Sequence, residues 1–371
     1  MILMSRAKFL YKTDWLIVLT IIFLSILGLA AIYSVALGRG LNEFGNFEKQ
    51  LIWLLIGIPI MLLVSLFDYR LLLKIGWVGY FIFILLLILV ITPLGSEVKG
   101  ASTSFNFGFM NFQPIEMFKI FLIIVLADIC SRYSRTVNKL PQLIFMGLIV
   151  AFPIGLALLQ PDLGSGSSLF FIWFVAFLLV VKKKWHVALI FGLIIGVIIG
   201  GWFFMLQDYQ KERILTFVDP ARDPRGSGYN VRQSIIAIGA GKFLGRGLGF
   251  GSQSQLKFIP ESHTDFIFAV IAEEIGFIGV ILLLSFFGIF FFRFYKIAIR
   301  APDDFGMFIT ILSTALIFFH VIINIGMCLG IMPVTGISLP FVSYGGSFLI
   351  TTLILVGINL SIYRYSNIKN T

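Results

Sequence analysis

Ten apolar stretches follow one another along this 371-residue chain, at roughly 15–35, 48–66, 71–92, 113–131, 141–159, 164–181, 186–206, 264–292, 304–329 and 342–363. A hydrocarbon core about 30 Å thick takes ~20 helical residues to cross. Inside lipid each segment must also satisfy its own backbone N–H and C=O groups, and a helix does so alone. The pattern therefore predicts an all-α polytopic membrane protein with ten transmembrane helices. Charge content agrees, since only 12% of residues are charged where a soluble domain carries about 25%. The first run is long enough to span and lacks a small-residue cleavage site, so it reads as an uncleaved anchor.

Charge distribution sets the expected orientation. With both termini on one side, the short connections of that side hold sixteen basic residues, among them Arg70, Lys74, Arg132, Arg293, Lys296 and Arg364. The short connections opposite hold Arg39, Lys49 and Lys99. The positive-inside rule then places both termini in the cytoplasm. The net charge of +10 reports this bias and contact with anionic lipid, and no nucleic-acid partner is expected. Cys130 and Cys328 are the two cysteines; they fall near opposite faces, which argues against a disulfide or a metal site.

One connection is long. Residues 207–262, between spans seven and eight, form a 56-residue extracytoplasmic loop within what reads as a single membrane domain, 1–371. It holds eight basic residues, Arg213, Arg232 and Lys257 among them, against five acidic ones. Turn chemistry in "DPARDPRGSGYN" and an amphipathic "VRQSIIAIGAG" predict an ordered cap lying on the membrane.

Ionisable residues within spans are expensive and are hypotheses of function. In "FQPIEMFKI", Glu116 and Lys119 share a helix face at i, i+3, with Pro114 suited to the first turn. Two readings stand: an intrahelical salt bridge, or a cavity-facing pair that orients a polar substrate. In "LLQPDLGSGSS", Asp162 is a helix cap or an outer-face site residue.

The stretch "PESHTDFIFAVIAEE" is denser. Pro260 suits a helix start, and Ser262 with Asp265 resembles a capping box. A helix from Pro260 would set Glu261 and Asp265 on one face. Paired carboxylates divide acid and base roles or hold a divalent cation. His263 reads either as a hydrogen-bonding surface residue or as a catalyst. Glu273 and Glu274, two turns deeper, are expected to pair with basic residues of the bundle. The last outward connection, "GIMPVTGISLPFVSYGGSFLI", interrupts an apolar run with prolines, glycines and hydroxyls, as backbone does where it packs tightly or lines a polar cavity. Basic groups above a carboxylate site suit an anionic lipid-linked substrate held through pyrophosphate. A lipid transporter would present similar features.

"FQPIEMFK", "QPDLG", "GYNVRQSIIAIGAG", "SQLKFIPESHTDFIFAVIAEEIG" and "MPVTGISLPFVSYGGS" together resemble the SEDS family (shape, elongation, division and sporulation). The resemblance implies ten spans and a peptidoglycan glycosyltransferase that polymerises lipid II at the outer face of the bacterial cytoplasmic membrane. "GSQSQLKFIPE" and "NIGM…GIMPVTGISLP" are closer to the elongation branch than to the division branch. By the same resemblance Asp265 is the catalytic aspartate, a general base with a role as ligand of Mg2+ or Mn2+ as the competing reading. Glu116, Lys119 and Asp162 match supporting positions, with Glu261 and His263 beside Asp265. Ser343, Gly345 and Gly346 match cavity-shaping positions, and Arg213, Arg232 and Lys257 are expected to meet the substrate. Lys257 departs from the family, which often has glutamate there. The implied partner is a class B penicillin-binding protein; no cofactor is implied beyond that divalent cation. A lipid II flippase and a non-catalytic scaffold are the competing functions.

Overall fold

Residues of the apolar runs have no partner for their backbone except each other, and each run described in the structure is a helix. The computed structural model describes residues 13–39, 44–98, 101–108, 111–133, 140–183, 185–188, 192, 196, 200, 211, 215–217, 219, 226–256 and 258–369. The helices in chain order are α1 (Trp15–Arg39), α2 (Phe44–Val64), α3 (Leu72–Ile91), α4 (Pro114–Tyr133), α5 (Leu140–Leu159), α6 (Leu163–Val180), α7 (Ser227–Gly241), α8 (Ser252–Gln255), α9 (Ile267–Glu274), α10 (Gly276–Ile299), α11 (Asp304–Cys328) and α12 (Gly346–Lys369). Eight of the described helical segments are long and apolar enough to cross a membrane. α4 stands outside that count because Glu116, Lys119, Asp128 and Arg132 interrupt it, yet most of its residues are buried. The expected span 186–206 falls largely outside the described residues.

α12 packs along α2, α3 along α4, α5 along α6 and α10 along α11, while α11 also meets α4 and α6. α12 is the most enclosed of the eight spans and α2 the least. The outer helices turn Leu19, Ile52, Leu55, Phe81, Leu148 and Phe292 outward, which a lipid-facing surface requires. Close approach depends on small residues: a Cβ on Gly357 would lie 2.6 Å from the Met61 carbonyl oxygen where α12 crosses α2.

Ion pairs collect at one end of the bundle. Arg293 bonds Asp14, Arg70 bonds Asp303 at 3.1 Å, Arg132 bonds Asp128 at 2.6 Å, and Arg364 donates to the Ser65 carbonyl at 3.1 Å. The opposite end carries three short strands, β1 (Ser96–Val98), β2 (Ala101–Asn106) and β3 (Asn111–Phe112), paired antiparallel in the order β1-β2-β3. No strand was expected there. The same end carries α7–α9 and the 329–345 connection.

Two expectations about span eight are corrected. The helix does not begin at Pro260: residues 260–266 are turns and the first helical residue is Ile267. Ser262 is not its cap, because the N-cap is Phe266, without a side-chain bond. The run is also divided, since Ile275 closes α9 and Gly276, at φ +73°, restarts the chain as α10. The amphipathic stretch of the long loop does form a helix, α7, which packs on α9.

Candidate active site

The reason that 260–266 stays out of helix lies in three consecutive carbonyls. His263 O accepts from the Tyr344 N–H at 2.9 Å, and Thr264 O from the Ser343 hydroxyl at 2.6 Å. Asp265 O accepts from Asn324 Nδ2 at 2.8 Å. Each of these acceptors faces α11 or the final connection instead of closing a helical turn. Asn324, fully buried, gives a second N–H to the Ile337 carbonyl at 2.7 Å. One amide thus ties the Asp265 segment to the connection opposite it. Gln50 holds the next stretch from α2, donating to Ser343 O and accepting from the Gly345 N–H, both at 3.1 Å. Within this connection Phe341 is buried at φ +66°, a conformation costing about 1–3 kcal/mol in a non-glycine residue and found where surroundings enforce it.

These elements surround a cavity of about 410 Å3 at the same end of the bundle. Its walls include Lys49 and Trp53 of α2, Gln113, Glu116 and Lys119, Asp162 and Ser165, Thr264, His320, and residues of 336–348. The expected Glu116–Lys119 pair is present as a salt bridge at 2.7 Å, nearly inaccessible, and both residues also line the cavity. Asp162 caps α6, its Oδ1 accepting from the Ser165 N–H at 2.9 Å, while Oδ2 accepts from Gln113 Nε2 at 3.4 Å. It too combines the capping role with a place in the wall. Ser347 joins the starts of α4 and α12 by accepting from the Gln113 N–H and donating to Asn111 O. Burial pushes the phenol of Tyr344, another wall residue, above its ordinary pKa.

Asp265 is partly exposed and borders the cavity without forming its wall: Oδ2 lies 3.6 Å from where a Cβ on Gly336 would stand, and Gly336 and Thr264 both line the space. Glu261 is not on a common helix face with it; Glu261 Oε2 accepts from the Thr264 hydroxyl at 3.1 Å within the turn. His263 meets the Tyr344 ring edge-on at 5.7 Å and does not line the cavity. Gly345 and Gly346 do, and a Cβ on Gly346 would lie 2.6 Å from Trp53 Nε1. Ser343 acts behind the wall as the clip on Thr264. Arg232 is exposed on α7, away from the cavity wall. Arg213 and Lys257 lie outside the described residues. Among the described residues no three His, Cys, Asp or Glu side chains gather as a metal cluster.

Glu273 and Glu274 are corrected most plainly. Among the described residues neither pairs with a cation. Glu273 accepts the N–H groups of Gln253 and Ser254 at 2.9 and 3.1 Å, capping α8 from another element. Glu274 Oε1 accepts from Ser34, Ser254 and Gln255 at 2.6, 3.2 and 3.1 Å. Together they fasten the glycine-rich 241–256 loop to α1 and α9.

A model of the FtsW/RodA/SpoVE family, described as cell cycle protein, matches residues 14–368. The chain belongs to this family. Peptidoglycan glycosyltransferase MrdB of Escherichia coli K12 is 36% identical over 335 residues, 87% of each chain. Among solved structures, a chain of a peptidoglycan synthase complex that coordinates polymerization and crosslinking superposes with a TM-score of 0.80 at 31% identity, covering 95% of this chain and 98% of that one. The rod shape determining protein RodA of Thermus thermophilus superposes with a TM-score of 0.70 at 28% identity, covering 95% and 97%. The family placement agrees with the SEDS motifs, and the fold is RodA-like.

Several wall and clamp residues carry little signal in the sequence. Gln50 and Trp53 lie within α2 and Gln113 just before α4, ordinary polar or aromatic residues with no distinguishing pattern around them. Asn324 and His320 had a signal, being polar residues four apart in an apolar run, but nothing in one dimension shows what they face.

Proposed function

We propose that this protein is a peptidoglycan glycosyltransferase of cell elongation, polymerising lipid II into glycan strands at the outer face of the bacterial cytoplasmic membrane. The observation that carries the reading is the polar cavity bordered by Asp265, whose segment is held by three consecutive carbonyl bonds, in a chain of this family. Asp265 is the general base: it takes the proton of the acceptor sugar's 4-hydroxyl as that oxygen bonds the donor C1. The C1–O bond to pyrophosphate breaks, and undecaprenyl pyrophosphate leaves. Rigid placement of the base suits a displacement that depends on alignment. Lys49, exposed and lining the same cavity, is a cation suited to the leaving pyrophosphate, with Arg213 and Lys257 of the long loop as further candidates. A divalent cation at Asp265 is the alternative role for that carboxylate.

In this reading both termini are cytoplasmic, the ion-paired end of the bundle faces the cytoplasm and the cavity faces outward. The partner is a class B penicillin-binding protein that cross-links the nascent strand. The elongation assignment rests on "GIMPVTGISLP" and "GSQSQLKFIPE"; a division-type role is the neighbouring alternative.

The test is glycan polymerisation by purified protein with its partner, lipid II and moenomycin, comparing wild type with Asp265→Asn. Moenomycin-resistant strands from the wild type and none from the variant are expected. Wild-type rates from the variant would remove Asp265 from the chemistry. Loss of wild-type activity on chelation, restored by Mg2+ or Mn2+, would move Asp265 from base to ligand.

A further inference from the structure

The wall of the cavity holds two buried polar groups that the described residues leave incompletely bonded. Glu116 is 6% exposed and His320 3% exposed, and both line the cavity. Lys119 occupies one Glu116 oxygen at 2.7 Å, while Oε2 has no hydrogen-bond partner among the described residues. On the facing helix α11, neither nitrogen of His320 makes a well-formed hydrogen bond among the described residues. The Ser338 backbone interacts with the ring and accounts for at most one of the two nitrogens. The ring itself is fixed, lying on Phe348 with centroids 5.0 Å apart and planes 13° from parallel.

A buried polar group without a partner costs about 1–3 kcal/mol. Glu116 Oε2 and at least one His320 nitrogen are such groups among the described residues, on facing helices that line one cavity, and a ligand that reaches both satisfies them together. Glu116 Oε2 is an acceptor, and an imidazole nitrogen donates or accepts. Glu116 and Lys119 cancel in charge, so this wall has no excess cation for an anion, and the open carboxylate oxygen repels one. The ligand group that fits is neutral and carries an N–H or O–H donor.

We infer that Glu116 and His320 form a subsite for the sugar of the lipid-linked substrate, reading a hydroxyl or acetamido N–H and not the pyrophosphate. The inference rests on the substrate class proposed above. It places sugar recognition on α4 and α11, and His320 is its new member. Four residues, about 6 Å of helix rise, separate it from Asn324, so one helix positions the base segment and contacts the donor or acceptor sugar.

The experiment is binding of two ligands to the full-length protein in nanodiscs: lipid II, and undecaprenyl pyrophosphate, which has the lipid and the anion but no sugar. Three variants are compared with wild type: His320→Phe, which keeps a ring against Phe348; His320→Met, as a second apolar replacement; and His320→Gln, which keeps a donor and an acceptor. The apolar variants should bind lipid II about tenfold more weakly and undecaprenyl pyrophosphate as wild type does, with unchanged melting temperature. His320→Gln should lie within about threefold of wild type for both ligands. Wild-type lipid II affinity in a folded apolar variant overturns the subsite, and so does an equal loss for both ligands. Wild-type protein that binds lipid II no better than the sugar-free lipid would instead remove the substrate assignment on which the inference stands.

Discussion

Glu273 and Glu274 adjoin at the end of α9, and Glu116 stands beside Lys119 on α4; all three carboxylates are buried at the same end of the bundle. Their surroundings differ. Both Glu273 oxygens accept backbone N–H groups of α8, and Glu274 Oε1 gathers three side-chain donors, so this pair is enclosed by the loop it fastens. Glu274 Oε2 lacks a partner among the described residues, as Glu116 Oε2 does, but Glu274 is not a cavity-lining residue. An incompletely bonded oxygen by itself is therefore no mark of a site. Glu116 Oε2 differs in lying on a cavity-lining residue, across from His320 on the same lining. The neighbouring Asp265 shows a third arrangement, in which the carbonyl is clamped and the carboxylate is left at the cavity edge.

The comparison breaks most sharply at the clamp. Asn324→Ala removes both bonds to the Asp265 and Ile337 carbonyls; kcat for strand elongation should fall on the order of 100-fold, with lipid II affinity little changed. A fall in affinity without a fall in kcat would mean that Asn324 serves binding rather than alignment. Next, Lys119→Met leaves the Glu116 carboxylate buried without its cation and should cost about 3–5 kcal/mol, read by denaturant or thermal unfolding in detergent. Glu273→Gln is milder, because its amide keeps one acceptor for the α8 N–H groups. A loss of about 1–3 kcal/mol, with faster proteolysis in 241–256 and lipid II affinity within about threefold of wild type, would separate the fastening carboxylates from the ligand-facing one. Should Glu273→Gln weaken lipid II binding as strongly as Glu116→Gln, the distinction fails.

The smallest effect belongs to the ion-paired end. Arg70 and Asp303 are partly exposed, and such a pair contributes about 0.2–1 kcal/mol. Burial alone would raise the Asp303 carboxyl, but hydrogen bonds from Tyr69 and the Gly306 N–H, together with Arg70, hold it below its ordinary value. A depressed folded value means that this contribution is complete above the unfolded pKa of about 3.9 and is lost as pH falls through the lower folded value. Unfolding measured from pH 6 downward should show that decline in wild type and a flatter curve in Asp303→Asn.

Much of the cavity end is legible in one dimension because its signals are local. The i, i+3 spacing of Glu116 and Lys119 puts them on one face wherever α4 sits, and "QPDLG" caps a helix start through a residue three positions away. The amphipathic stretch of the long loop declared α7 by its own period. The stretch after Pro260 misleads for the opposite reason. "PESHTDF" has good capping chemistry, but its carbonyls are bonded by Asn324, Ser343 and Tyr344, some 60 to 80 positions on. Local propensity gives way when distant partners take the backbone's acceptors. Glu273 and Glu274 looked like charges in need of cations because the eventual donors, Ser34 and the 253–255 segment, carry no charge. β1–β3 carry no sequence signal, being short pieces whose pairing involves few residues.

The sequence by itself determined the helical, membrane-spanning class of fold, the family and the end at which polar residues concentrate, because hydrophobic length and contiguous motifs are properties of the chain read in order. Tertiary structure alone decided which polar residues are enclosed by their own loop, which clamp the Asp265 segment, and which keep an open valence toward the cavity. Those distinctions depend on where each hydrogen-bonding group finds its partner, and here the partners are brought together by helices that are neighbours in space and not in sequence.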